Sequence, residues 1–421
     1  MFNIKRSFNS KIKHACIFIF LFVCLVPSIS NAQEIDILLK GGHVIDPKNN
    51  IDSKMDVAIV DGKIFEVAPD ISAKDAKKVV DVSGLYVTPG LINIHTHIFV
   101  GSKDGFADGW DSVDPDAFSF RSGVTTMVDA GTSGWRNFPL FKKNVIDRSK
   151  TRVLSFLDIF DFGFSSGSPE MHDTTTMNAR MTCETIKKYS GIIVGVCVGH
   201  YSGSDWMPFT KAIEAASCSS VPILVETDMP KLSLEGQLSH LRPGDILTDT
   251  YEDVHERMSV VDEKGKVRPF VLDAQKRGIL FDAGHGGAGF WFSQAMPALK
   301  QGLLPNSFGT DLHRFSMNAG MKNILNLMSK FLNMGMSLQA VMARAAWYPA
   351  MSIKREDLGN LSVGAVADVA VLNLLHGKFG FVDAGNNKMD GTRKFQAELT
   401  IRAGKIVYDL NGISAKKFQN K

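Results

Sequence analysis

The sequence predicts a protein of the α/β class: a (β/α)₈ barrel of the TIM type with a small β-sandwich built from both chain ends. Two observations carry that prediction. Strand-like runs alternate with amphipathic segments about eight times over roughly 260 residues, the rhythm of parallel strands joined by helical crossovers. Blocks that read as short strands and turns stand on either side of that stretch, so a unit assembled from both ends is the economical arrangement. A chain of 421 residues, 44% hydrophobic and 22% charged, is long enough for a large core and a second domain. Its net charge of +3 gives no reason to expect nucleic acid as a partner.

Residues 1–32 read as a secretory signal peptide. "MFNIKRSFNSKIKHA" is basic without an acidic residue, "CIFIFLFVCLV" is an unbroken apolar run, and "SISNAQ" places Ser30 and Ala32 like an A-x-A cleavage site. The apolar run is shorter than the ~20 residues a membrane span needs. Cys24 follows "LFV", which lacks the small residue expected before a lipidated cysteine. The expectation is an exported protein, periplasmic or secreted, with no membrane span after cleavage. Cleavage leaves Cys183, Cys197 and Cys218, which are too few for a disulfide framework: one pair can form and one thiol remains over.

Residues 33–88 supply the first part of the β-sandwich. "IDILLKGGHVID", "DVAIVDGKIFEVA" and "KKVVDVSGLYVTPG" alternate apolar and polar residues, with Gly, Asp and Asn at the breaks. Residues 89–354 are the barrel. Its strand candidates run from "VTPGLINIHTH" through "GVTTMVDAG", "RVLSFLDIF", "GIIVGVCVG", "VPILVET", "GDILTDTY" and "RGILFDAGH" to "LPNSFGTDL". The helical candidates include "PFTKAIEAAS", "PFVLDAQKRG", "FSQAMPALKQG" and "NILNLMSKFLNMG". The Met-rich stretch from Met317 to Met351 reads as core packing rather than a cofactor groove. Residues 355–421, with "ADVAVLNLLHGKFGFVDAG" and "AELTIRAGKIVYDLNG", complete the sandwich.

In such barrels chemistry sits where strands end and βα loops begin. Side chains two apart on a strand share a face, so His95 and His97 in "LINIHTHIFVG" project together from the end of the first barrel strand. Both imidazoles can then reach one metal at about 2.0–2.1 Å. On these residues alone, a metal pair and a pair of structural histidines stand about even.

The run "VTPGLINIHTH" resembles the opening signature of the amidohydrolase superfamily of metal-dependent hydrolases, and "GNLSVGAVADVAVL" resembles that superfamily's exit from barrel to β domain. Between them "LRPGDI", "FDAGHGGAGF", "GTDLHRFSMNAG" and "MSKFLNMGMSLQAVMARAAWYPA" are similar to its amidohydrolase/deacetylase branch, related to D-aminoacylases and dihydroorotases. The resemblance implies a barrel with one or two divalent metals, usually zinc, with manganese or iron as alternatives. It implies that His95 and His97 bind one metal and that Asp311, at the end of strand eight, binds metal and acts as general base. It further implies a carboxylated lysine on strand four and histidines on strands five and six.

Those last three positions depart from the family. Cys197 stands in "VGVCVGHY" where the lysine is expected, Glu226 in "PILVETD" and Asp249 in "GDILTDTYED" where the histidines are expected. A thiolate and two carboxylates can all coordinate metal. Cys197 is equally a small buried hydrophobe, and the two acids are equally salt-bridged loop residues. The remaining polar candidates fit a substrate pocket: His285 in a Gly-rich loop after strand seven, His313 beside Asp311, and His200 with Tyr201 just past Cys197. His200 reads as a substrate contact, as a support for a ligand, or as a ligand replacing a lost one. Arg314 and Asn318 are further contacts for a carboxylate or amide.

The expected function is an exported metal-dependent hydrolase that opens an amide or ester of a small molecule with metal-activated water, as a deacetylase, aminoacylase or cyclic amidase. The alternative is a catalytically inactive binding protein on the same scaffold, favoured by the three substitutions. A serine hydrolase is disfavoured, since "GTSG" at 131–134 lacks the G-x-S-x-G spacing. Homo-oligomers are usual for such hydrolases.

Overall fold

β1 (Ile37–Asp46) is the strand around which the N-terminal block is built. It pairs antiparallel with β2 (Ile51–Val60), which turns through Asp61 and Gly62, both at positive φ, into β3 (Lys63–Ala68). A register shift between Leu39 and Gly42 divides β1 in two. Its first half pairs in parallel with β4 (Val79–Asp81) and its second half with β5 (Tyr86–Pro89). The computed structural model that shows this describes residues 34–99, 111–163 and 173–418; the predicted signal peptide lies outside them.

Beyond β5 comes β6 (Leu91–Thr96), which opens a second sheet with β7 (Val124–Ala130), β8 (Arg152–Asp158), β9 (Ile193–Val198), β10 (Ile223–Val225), β11 (Ile246–Leu247) and β12 (Leu280–Phe281). These seven strands are parallel and each lies beside its predecessor, as short right-handed crossovers dictate. The segment 307–312 makes single parallel bridges to both ends of the sheet, Ser307 to Asp282 and Leu312 to Thr96. The chain then returns to the first sheet as β13 (Val369–Val382), β14 (Lys388–Arg402) and β15 (Lys405–Asp409), and β13 pairs antiparallel with β5.

The two ends therefore share one continuous eight-stranded mixed sheet, in the order β15-β14-β13-β5-β1-β2-β3 with β4 beside β1. The expected pair of packed sheets is here a single hydrogen-bonded sheet, because β5 pairs with β1 on one side and with β13 on the other. Its strands enclose one aliphatic cluster that includes Leu39, Val44, Val57, Val80, Val369 and Leu399.

Helices fill the crossovers where the periodicity places them. "PFTKAIEAAS" lies in Met207–Ser219, "PFVLDAQKRG" opens Pro269–Lys276, "FSQAMPALKQG" gives Phe292–Lys300 and "NILNLMSKFLNMG" gives Ile324–Asn333. The last starts at Asn323, whose side chain accepts from the backbone N–H of Asn326. Met321, Met328 and Met342 are fully buried in the main core, whereas Met351 is exposed. Cys183 and Cys218 form a disulfide between two crossover helices, and Cys197 is the cysteine left over. Among the described residues no helix is long and apolar enough to cross a membrane.

Candidate active site

The C-terminal ends of the parallel strands converge on a cavity of about 340 Å³ lined by His97, Asp111, His200, Glu226, Asp228, Asp249, Glu252, Arg257, Asp311 and His313, among others. His95 and Thr96 close β6, His97 follows them, Glu226 follows β10, and Asp249 lies two residues past β11. Three of these loop residues, His200, Asp249 and Asp311, hold left-handed backbone with φ of 53°, 54° and 45°. That conformation is disfavoured for residues other than glycine and clusters at functional sites in folded proteins.

His95 is wholly buried and oriented from behind. Thr248 donates its one hydroxyl proton to Asp282 Oδ2 at 2.8 Å, so its oxygen accepts from Nδ1–H of His95, also at 2.8 Å. Asp282 is fixed in turn by N–H of Gly309 at 2.7 Å and by the Ser307 hydroxyl. This relay assigns the tautomer of a neutral His95: the proton sits on Nδ1 and a lone pair on Nε2. Nε2 has no hydrogen-bond partner among the described residues and faces Glu226 Oε1 at 3.7 Å and Asp311 Oδ1 at 3.6 Å. A lone pair aimed at two carboxylate oxygens is an arrangement that a cation satisfies.

His97 Nε2 lies 3.0 Å from Asp311 Oδ1. Burial opposes ionisation of Asp311, yet His313 and His95 beside it hold its carboxyl well below the usual range. Asp249 shows the opposite balance: burial, with Asp311 and Glu226 close by, pushes its carboxyl well above the usual range. Its Oδ1 has no hydrogen-bond partner among the described residues and lies 4.0 Å from His95 Nδ1. His95, His97 and Glu226 each offer a ligand atom within 4.8 Å of the others, which fits a divalent cation.

Cys197 is buried on β9 among aliphatic side chains, with Sγ 3.8 Å from Glu226 Oε1. Burial and the surrounding carboxylates push its thiol well above the usual range, so it is protonated in this setting. His313 lies 3.6 Å from Asp311 Oδ2 and 3.8 Å from Asp111 Oδ2 at the cavity wall. His285 is fully buried away from the lining: it stacks on Phe290 and its Nε2 meets Lys330 Nζ at 2.5 Å. Tyr201 borders a smaller adjoining cavity, and its hydroxyl donates to Asp205 at 2.6 Å. Arg314 and Asn318 are exposed.

The sequence reading missed Asp228, Glu252, Arg257 and the Thr248–Asp282 relay. Asp228 stands two residues past Glu226, the same spacing that drew attention to His95 and His97. Arg257 donates to Glu252 at 2.7 Å, while burial pushes the Glu252 carboxyl up to about 7. Nothing in the local sequence around Glu252 signals that burial.

A parallel α/β sheet with imidazoles and carboxylates gathered at its C-terminal edge is a frame on which enzymes place their active sites. No family model matches the chain. A deacetylase from Brucella anthropi is 30% identical over 347 residues, covering 81% of this chain and 84% of its own length. Among solved structures, a dihydroorotase aligns with a TM-score of 0.77 at 28% identity over 89% of this chain and 99% of its own. An adenine deaminase aligns with a TM-score of 0.80 at 24% identity, over 89% of this chain and 100% of its own, a likeness of fold. The chain belongs to the amidohydrolase superfamily, in the branch that contains deacetylases and dihydroorotases.

Proposed function

We propose that this protein is a metal-dependent hydrolase that cleaves an amide or ester bond of a small molecule at the rim of a closed (β/α)₈ barrel. The observation that carries the reading is the buried, unpartnered Nε2 of His95 facing two carboxylate oxygens. The names of the relatives, deacetylase and dihydroorotase, support carbon–nitrogen bond hydrolysis over other chemistries. The bridges from Ser307 and Leu312 to the two ends of the parallel sheet support closure.

His95, His97 and Glu226, with Asp311 beside them, are the residues that would hold the ion, zinc first among the candidates and manganese or iron after it. When bound, a divalent ion supplies a Lewis acid that lowers the pKa of water and polarises a carbonyl. The protein's own part is proton handling and exclusion of solvent. Asp311, on the cavity lining beside His97, takes the proton of the attacking water and returns it to the leaving group. Glu252, with its carboxyl near 7, stands on the same wall as a second proton carrier. Export completes the proposal, supported by the pattern of residues 1–32 and by the Cys183–Cys218 disulfide; a mature N-terminus at Gln33 in secreted material would bear this out.

The test is Asp311→Asn, assayed on N-acyl amino acids, cyclic amides and acetylated hydroxy acids. The expected result is a fall in kcat of about 10²–10⁴-fold on whichever compound the unmodified protein turns over, with an unchanged circular dichroism spectrum. Full activity in that variant overturns the role of Asp311.

A further inference from the structure

The carboxylate of Glu226 faces two ways. Its Oε1 lies 3.7 Å from Nε2 of His95, and its Oε2 lies 3.2 Å from Nε2 of His200. His200 is itself clamped by Asp228, which accepts from its backbone N–H at 2.8 Å and meets its Nδ1 at 2.5 Å. With Nδ1 engaged by that carboxylate, Nε2 is the ring nitrogen turned toward Glu226. His200, Glu226 and Asp228 offer ligand atoms that all lie within 4.8 Å of one another, a second such group sharing Glu226 with the first.

We infer that Glu226 is the shared carboxylate of a two-ion centre, with one ion on His95 and His97 and a second on His200 and Asp228. The inference rests on the metal-dependent reading above and adds a site to it. The two substituted strands have exchanged roles. The acid that joins the two halves comes from the end of β10, and the imidazole of the second half comes from the turn after β9. Gly199, just before His200, lets the two approach: a Cβ there would stand 3.1 Å from Cβ and Cδ of Glu226, a tight contact. Two further observations point to missing positive charge. Oδ1 of Asp249, just past β11, and Oδ2 of Asp158, at the end of β8, are buried without hydrogen-bond partners among the described residues. Cys197 belongs to neither group of ligand atoms: it is buried in an apolar cluster, with Sγ 3.8 Å from Glu226 Oε1.

The experiment is manganese(II) loading of the purified, chelator-stripped protein, read by elemental mass spectrometry and by electron paramagnetic resonance. Two ions per chain with an exchange-coupled spectrum are expected. His200→Ala should keep one ion and show an uncoupled signal, and Glu226→Gln should abolish the coupling. One ion in the unmodified protein, removed by His95→Ala and untouched by His200→Ala, overturns the second site and leaves the metal-dependent reading standing. No ion at all overturns both. Two ions retained by a folded His200→Ala variant overturn the assignment of His200. Should that variant fail to fold, the stoichiometry and coupling of the unmodified protein still decide.

Discussion

Asp56 in the mixed sheet and Asp249 at the rim of the parallel sheet are both acids set into folded strands and turns, and they are treated differently. Asp56 is 2% exposed, and both oxygens are satisfied: Oδ1 accepts from Gly41 N–H at 2.8 Å, while Oδ2 accepts from Lys40 at 2.6 Å and Ile71 N–H at 2.8 Å. These partners outweigh the burial penalty and hold its carboxyl below the usual range. Asp249 has an oxygen with no partner among the described residues and neighbours of its own sign. Around Asp56 the sheet encloses aliphatic side chains; around Asp249 the strand ends bury His95, Glu226, Asp158 and Asp282. An unpaired buried carboxylate is destabilising, so the rim holds its groups at the expense of stability that the apolar regions must provide. The division matches the expectation that function sits at the strand ends of such sheets and stability elsewhere.

The mixed sheet offers the largest stability effect by which to break that comparison. Leu399 is fully buried in its aliphatic cluster. Leu399→Ala is expected to cost about 2–5 kcal/mol in denaturant unfolding while leaving kcat per folded molecule unchanged. A kcat that falls in proportion to stability would mean the two regions are coupled and the division is false.

Lys330 tests the boundary between them. The amine is buried and donates to the carbonyls of Gly320 at 2.9 Å and Val382, on β13, at 2.7 Å, besides contacting His285. Burial pulls its pKa down from 10.5 to about 7. Folded protein therefore binds fewer protons than unfolded chain between those values, so the penalty for burying the charge is full below about 7 and fades as pH rises toward 10.5. Stability relative to Lys330→Met should rise by about 2 kcal/mol between pH 7 and 9, a window short of the full shift. A flat difference would mean that the amine stays charged through its carbonyl contacts.

How much of this was legible in the sequence follows the same division. Regular elements were legible because period and punctuation are local: the strand-like runs of the parallel sheet fall on β6 to β12 in order, and the four helical candidates lie on helices. His95 and His97 stood out because spacing and strand-end position can be read without coordinates, and Asp311 because the family resemblance points to it. What was hidden depends on pairing across the fold. Lys330 sits in a helix rich in core residues, and its amine is held by carbonyls of Gly320 and Val382 and by His285, none of them in its own helix. His285 looked like a pocket residue because it follows a strand in a Gly-rich loop, yet Lys330 and Phe290 hold it inside. The relay behind His95 joins residues 153 and 34 positions apart, which no local pattern announces.

Cys197 is the residue on which the comparison turns most finely, since it belongs by position to the rim and by environment to the core. It stands on β9 where the sequence resemblance leads one to expect a lysine, in register with Asp158 on β8 and Leu224 on β10. Its neighbours in the cluster are Ile92, Val128, Phe156 and Leu224, all apolar. If packing is its role, Cys197→Ala removes one buried sulfur, costs about 1 kcal/mol, and leaves the manganese count of the loaded protein unchanged. A ligand would behave otherwise: a bound ion keeps a thiol deprotonated, so removing it would lower the count and shift absorption of the cobalt(II)-loaded protein. Loss of an ion in the folded variant would place Cys197 with Glu226 among the metal-binding groups and extend the rim one layer deeper into the sheet. An unchanged count would leave the lysine's task to the carboxylate of Glu226.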